Sequence, residues 1–285
     1  MNPPQPVSAP RLDPHSDAAL LAAAFLTPQR APAPSAAQAW LARACVTHVP
    51  FDERAPSLPS WRWGEASDRV LLVHGWDGRG SDLVAFVPVL LAAGFGVITF
   101  DGPAHGDAPG LQASPAHHAR AVRVVAAHHG GVRAVVAHAV GSAAALGAFR
   151  DGLEVQASVQ LAAPSSVRDV ALGLARMTGL AEAEWPAYLA HIEDFAGAAL
   201  SDGELPALAP DLRHRALLLH DPQDREVAFA GSLALHRAWP GSRLQEVPGV
   251  GHRRLLSESS VVAAAAGFIA SVLRPAPTRA ESALA

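Results

Sequence analysis

From Ser60 onward the chain alternates short apolar runs with stretches of helical pattern, and that order leaves few folds open to it. Apolar runs at 69–73, 97–100, 132–137, 157–161, 216–219 and 243–247 read as strands. Stretches at 81–93, 115–128, 141–149, 228–238 and 259–273 read as the helices between them. Strands apolar on both faces and separated by helices predict an α/β architecture: a mostly parallel central sheet with helices on both faces. Residues 164–213 interrupt the alternation with helical pattern and no strand-like run. An insertion there reads as a helical cap over a site at the C-terminal edge of the sheet. Its large apolar residues, Met177, Leu180, Trp185, Tyr188, Ile192 and Phe195, are assigned first to the cap's own packing.

Composition bounds the function classes. Half of the 285 residues are apolar and 17% are charged, enough for a large core. A net charge of −4 without a basic stripe argues against a nucleic-acid partner. All 22 basic residues are arginine, so a lysine nucleophile is excluded. The single cysteine, Cys45, allows neither an intrachain disulfide nor a cysteine metal site, which suits a reducing compartment. The N-terminus lacks a basic signal-peptide region, and the apolar stretches at 18–26 and 261–273 are too short to span a bilayer. The expectation is a cytoplasmic protein acting on a small molecule, with no membrane partner. Eleven of the 24 prolines fall before residue 60. Residues 1–59 therefore read as a Pro-rich, partly loose extension with short helices at 16–26 and 35–45. The core is expected at 60–163 and 214–274, the cap at 164–213, and a disordered tail at 275–285.

Five motifs stand at the ends of expected strands. They are Val73-His74-Gly75-Trp76, Asp101-Gly102-Pro103-Ala104-His105-Gly106, Ala137-His138-Ala139-Val140-Gly141, His220-Asp221-Pro222-Gln223-Asp224 and Pro248-Gly249-Val250-Gly251-His252. In this order they resemble the α/β-hydrolase superfamily, in particular its capped esterase- and lipase-like members. The resemblance spans about Ser60 to Arg274 and implies the α/β-hydrolase fold, with the helical cap inserted after the sixth strand. It also implies the family's chemistry: a nucleophile, a base to take its proton, an acid to fix the base, and N–H donors where negative charge develops. Matched residue by residue, His252 is the base, Asp224 the acid, and the amides of Trp76 and Val140 the oxyanion hole. Asp221 is the competing carboxylate in the same turn; the family spacing favours Asp224, and Asp221 reads as a turn former. His74, His105 and His138 read as structural, and Asp101 as shaping its loop. The pairs His117-His118 and His128-His129 lack the spacing of a metal-binding helix, so no metal or other cofactor is expected.

At the centre of the third motif, where the family carries its serine, stands Ala139. Two smaller departures accompany it: Ser142 in place of a second glycine, and Ala104 in place of a glycine in the 101–106 turn. Ser142 lies in the first turn of the following helix, pointing away from the elbow, and neither Cys45 nor Ser81 has an elbow context. The resemblance thus implies a serine esterase or acyl hydrolase for a small or medium apolar ester, thioester or amide, with covalent turnover abolished by Ala139. Two alternatives stand beside it: ligand or partner binding in the same pocket without turnover, and non-covalent chemistry with His252 as general base.

Overall fold

Residues 13–274 are described by the structure, a computed structural model. Helices α1 (Asp17–Phe25) and α2 (Ser35–Leu41) precede a hairpin of β1 (Cys45–Pro50) and β2 (Ser57–Trp63). Then follow β3 (Arg69–Val73), α3 (Phe86–Ala92), β4 (Gly96–Phe100), α4 (Pro115–His128), β5 (Ala134–His138), α5 (Val140–Arg150) and β6 (Ala157–Leu161). Helices α6 (Val167–Thr178), α7 (Trp185–Ala196) and α8 (Leu205–Leu208) lie between β6 and β7 (Arg215–His220). The chain continues through α9 (Phe229–Ala238), β8 (Ser242–Glu246) and α10 (Ser259–Leu273). Among the described residues, no helix is long and apolar enough to cross a membrane.

The eight strands form one sheet in the order β1-β2-β4-β3-β5-β6-β7-β8. Pairing is parallel from β4 to β8 and antiparallel for β1–β2 and β2–β4. Strands β4, β5 and β6 are buried at every residue, as expected of strands covered on both faces. One face packs Phe86, Val87 and Leu90 of α3 with Val261, Ala265 and Ile269 of α10. The other packs Val122 and Val125 of α4, Leu146 of α5 and Leu235 of α9, and continues into Leu172, Tyr188 and Ile192 between β6 and β7. Tyr188 donates its hydroxyl to Ala171 O at 3.1 Å, so it packs within that helical insertion, whereas Met177 is exposed.

The N-terminal segment departs from expectation. Placing the start of the core at residue 60 omits β1 and most of β2, which are the edge of the sheet. The prolines misled because they sit where an edge hairpin tolerates them. Pro50 ends β1, and Pro56 lies in the turn. Pro59 lies in β2 one residue before its pairing with β4 begins at Ser60, so its missing N–H costs no ladder bond on that side. The second helix ends at Leu41 rather than 45, because Cys45 opens β1. Within 13–34, part of the segment read as loose or loosely docked, Ala18, Ala22 and Phe25 of α1 are buried, and α1 packs against α7. The expected tail at 275–285 lies outside the described residues.

Candidate active site

The elbow forms where β5 ends and α5 begins. Ala139 stands between them at φ 50° and ψ −121°, a conformation that L residues rarely adopt. Its amide donates to Leu161 O on the neighbouring strand at 2.9 Å, and its carbonyl accepts from Ser142 N at 2.9 Å. Two glycines let other backbone approach. A Cβ on Gly141 would collide with His74 O at the end of β3. A Cβ on Gly75 would stand 3.0 Å from His138 Nδ1 and 3.2 Å from the Cβ of Ala139, so the His-Gly turn lies directly against the elbow. Ser142 is fully buried with its hydroxyl donated to Ala137 O at 3.3 Å, and is not turned toward the apex.

Trp76 follows Gly75 in that turn. Among the described residues its N–H has no main-chain acceptor. Val140 is the first residue of α5, where a helix leaves its amides free and carries partial positive charge. The two amides thus belong to the elbow and to the His-Gly turn that lies against it.

Asp224 and His252 meet where the loops that follow β7 and β8 come together. His252 Nδ1 lies 2.8 Å from Asp224 Oδ2, and both side chains are nearly excluded from solvent. Asp224 Oδ1 accepts the Glu226 and Val227 amides at 2.8 and 3.0 Å. Burial alone would raise the Asp224 carboxyl. The hydrogen bonds from His220, His252 and the Val227 amide outweigh it and hold the group well below the usual carboxylate range. Asp224 is therefore ionised, and it fixes the histidine with Nδ1 as donor and Nε2 as the free basic nitrogen.

Three neighbours complete the arrangement. Asp221, the competing carboxylate, accepts the Gly251 amide at 2.6 Å, so it anchors the loop that carries His252. His220, which sequence reasoning passed over at the end of an apolar run, places Nε2 3.3 Å from Asp224 Oδ2 and bonds Ser232 Oγ through Nδ1 at 2.8 Å. His138 lies with its ring 4.5 Å from that of His252 and its Nε2 3.2 Å from His252 O. Burial, with the neighbouring His252 ring adding to it, pushes His138 down to about 3, so its neutral ring serves as packing.

The remaining sequence candidates each have structural partners of their own. His74 donates Nδ1–H to Gly75 O at 2.8 Å and accepts the Gly102 amide at Nε2 at 2.9 Å, tying the two loops together. His105 and His118 pack on it with ring centroids 5.0 and 4.7 Å away. Asp101 accepts the Gly80 and Asp107 amides and faces the Arg79 guanidinium. His117 bonds Ser114 Oγ and His129 bonds Ser60 Oγ, so the two histidine pairs face different neighbours. Among the described residues, no group of three or more His, Cys, Asp and Glu is placed to hold a metal ion.

Residues 70–265 match the profile of the Alpha/beta hydrolase family. No curated protein matches the chain. Similar solved structures include an esterase from Pyrococcus furiosus, 14% identical with a TM-score of 0.66 over 87% of this chain and 97% of that one. A thermophilic esterase from Thermogutta terrifontis is 18% identical, with a TM-score of 0.60 over 80% of this chain and 99% of that one. An esterase from Exiguobacterium antarcticum is 16% identical, with a TM-score of 0.62 over 79% of this chain and 99% of that one.

Proposed function

The chain belongs to the alpha/beta hydrolase family, and on that premise we propose that its site is of the serine esterase or acyl-hydrolase type, shaped for a small or medium apolar ester, thioester or amide, with covalent turnover abolished at position 139. The observation that carries the reading is the elbow itself. Ala139 keeps the strained conformation that presents a nucleophile, beside two free amides, while Asp224 and His252 remain paired across the site.

The roles follow from the chemistry. A hydroxyl at 139 would attack the acyl carbonyl while His252 Nε2 takes its proton. The Trp76 and Val140 amides would hold the oxyanion, and Asp224 would steady the imidazolium. His252 then returns the proton to the leaving group, and a second round with water releases the acid. A methyl group at 139 removes the first bond-forming step. In a serine protease, loss of the nucleophile costs on the order of a millionfold in kcat, or about 8 kcal/mol of barrier.

The test is p-nitrophenyl butyrate hydrolysis by the chain as it stands and by Ala139→Ser. The expected outcome is background turnover for the first and a gain of at least about a thousandfold for the second, abolished again by His252→Ala. The reading is wrong if serine restores nothing and His252→Ala leaves any residual rate untouched. A second reading, binding of an acyl-type ligand without turnover, is favoured by Ala139 itself. It expects saturable binding of an unreactive ester analogue by the chain as it stands, lost when Ala139 itself is enlarged to leucine.

A further inference from the structure

The oxyanion turn does not stand on the hydrolase core alone. Phe25, the last residue of α1, stacks nearly parallel on the Trp76 ring, with centroids 5.8 Å apart and planes at 14°. Its edge meets Tyr188 of α7 at 82°. Four residues later the Gln29 amide donates to Asp77 Oδ1 at 2.7 Å. Asp77 stands at φ 59°, in the left-handed region. The same segment is tied down further along: Ala31 O accepts from Arg79 Nη1 at 3.2 Å, Leu26 O accepts the Ala113 amide at 2.9 Å, and Arg30 bonds Gly110 O. The segment therefore grips both residues that follow Gly75 and braces them against α7 and the 101–113 loop.

We propose that the N-terminal segment is a positioning element of the oxyanion site, in which Phe25 and Gln29 set the direction of the Trp76 amide. This rests on the acyl-hydrolase reading above. The physical reason is geometric. An oxyanion donor works only if it is aimed at where the charge develops, and a peptide plane aims its N–H through the torsions of the two residues it joins, here Gly75 and Trp76, the latter held in turn by Asp77. Gly75 supplies no side chain to hold that plane. Asp77 is in a conformation that its own backbone disfavours, so it needs an outside hold, which the Gln29 amide supplies. The Trp76 ring fixes its own residue by packing, edge-on against His105 at 4.8 Å and face-on against Phe25. Removal of the Phe25 face or of the Asp77 acceptor frees the turn to rotate without touching the substrate.

The experiment uses the full chain carrying Ala139→Ser. Phe25→Leu keeps an apolar side chain but loses the flat face; Asp77→Ala loses the acceptor. Each is expected to lower kcat about ten- to a hundredfold with KM within about twofold, the signature of a transition-state donor out of line. Asp77→Asn keeps an oxygen acceptor and tolerates the left-handed region, and is expected to recover most of the kcat lost in Asp77→Ala. Leu20→Ser, on the exposed side of α1, is the neutral control. The proposal is overturned if kcat holds in Phe25→Leu and Asp77→Ala, or if KM rises while kcat holds, which marks a substrate wall instead. If Phe25→Leu does not fold, the Asp77 pair decides. If Ala139→Ser hydrolyses no ester, the acyl-hydrolase reading fails on its own. Positioning is then read in the original chain from the backbone amide resonance of isotope-labelled Trp76, assigned with Trp76→Phe. It is expected to shift and broaden in Asp77→Ala and return in Asp77→Asn; an unmoved resonance overturns the proposal.

Discussion

At position 139 the main chain is held in its strained conformation by hydrogen bonds to Leu161 and Ser142, while the side chain contributes only a Cβ that makes the conformation worse. Strain of this kind costs roughly 1–3 kcal/mol, and glycine removes it at an entropic cost below about 1 kcal/mol. Ala139→Gly is therefore expected to stabilise the chain by about 1 kcal/mol in urea unfolding; unchanged or lower stability would show that the strain is relieved elsewhere. The buried histidines make a second expectation. Burial holds His74 down at about 4 and His105 at about 3, so both are neutral in the fold, whereas an unfolded histidine takes its proton near 6.5. The unfolded state then binds more protons on the acid side. Stability is full well above pH 6.5 and declines through that value down to about pH 3, with roughly 3 kcal/mol of the loss from His74 complete by about pH 4. Chemical denaturation at pH 7 and pH 4.5 measures it, and His74→Gln should flatten the slope. At this scale the sequence distinguished Asp224 from Asp221 only by family spacing. The structure shows that both hold one loop, Asp224 through the His252 ring and Asp221 through the Gly251 amide.

Among the elements, legibility followed local pattern rather than burial: β8 has no buried residue and was read, whereas β2 is mostly buried and was not. Strand 157–161 and helices 115–128 and 259–273 lie where the apolar pattern placed them, because strands and helices with such strong patterns carry their own boundaries. The β1–β2 hairpin was hidden. β1 is mostly exposed and β2 is buried at four residues in a row, so neither shows a strand's alternation, and the prolines signal breakage in any local reading. Helix α1 was visible, but its docking was not, because Phe25 and Trp76 are far apart in sequence and nothing local couples them. The approach of α5 to β3 is a matter of elements too. Gly141 lets the first turn of α5 lie against the backbone leaving β3, and an added methyl would meet a carbonyl that cannot move without shifting the strand. Gly141→Ala is expected to cost about 2–3 kcal/mol by denaturant titration and to displace the elbow from the His-Gly turn. A cost near zero would show that α5 can slide.

Across the whole molecule, the segment before β1 joins three bodies: the helices between β6 and β7, the His-Gly turn, and the 101–113 loop. Removal of residues 1–31 is expected to leave the central sheet folded, since its eight strands run from Cys45 onward. It should uncover the faces of Tyr188 and Trp76, with stronger binding of a hydrophobic dye and a melting temperature lower by several degrees. An unchanged melt and no dye binding would mean that the segment adds nothing to the body it covers. The strained alanine has a consequence of another kind. Every alanine codon becomes a serine codon by exchange of its first base, and the elbow around Ala139 already has the shape that serine requires. A lineage carrying this gene therefore stands a single nucleotide from the hydroxyl, with no rearrangement of the fold between the two forms. On the reading proposed above, the silent and the active form of this site are separated by one base and by no change of structure.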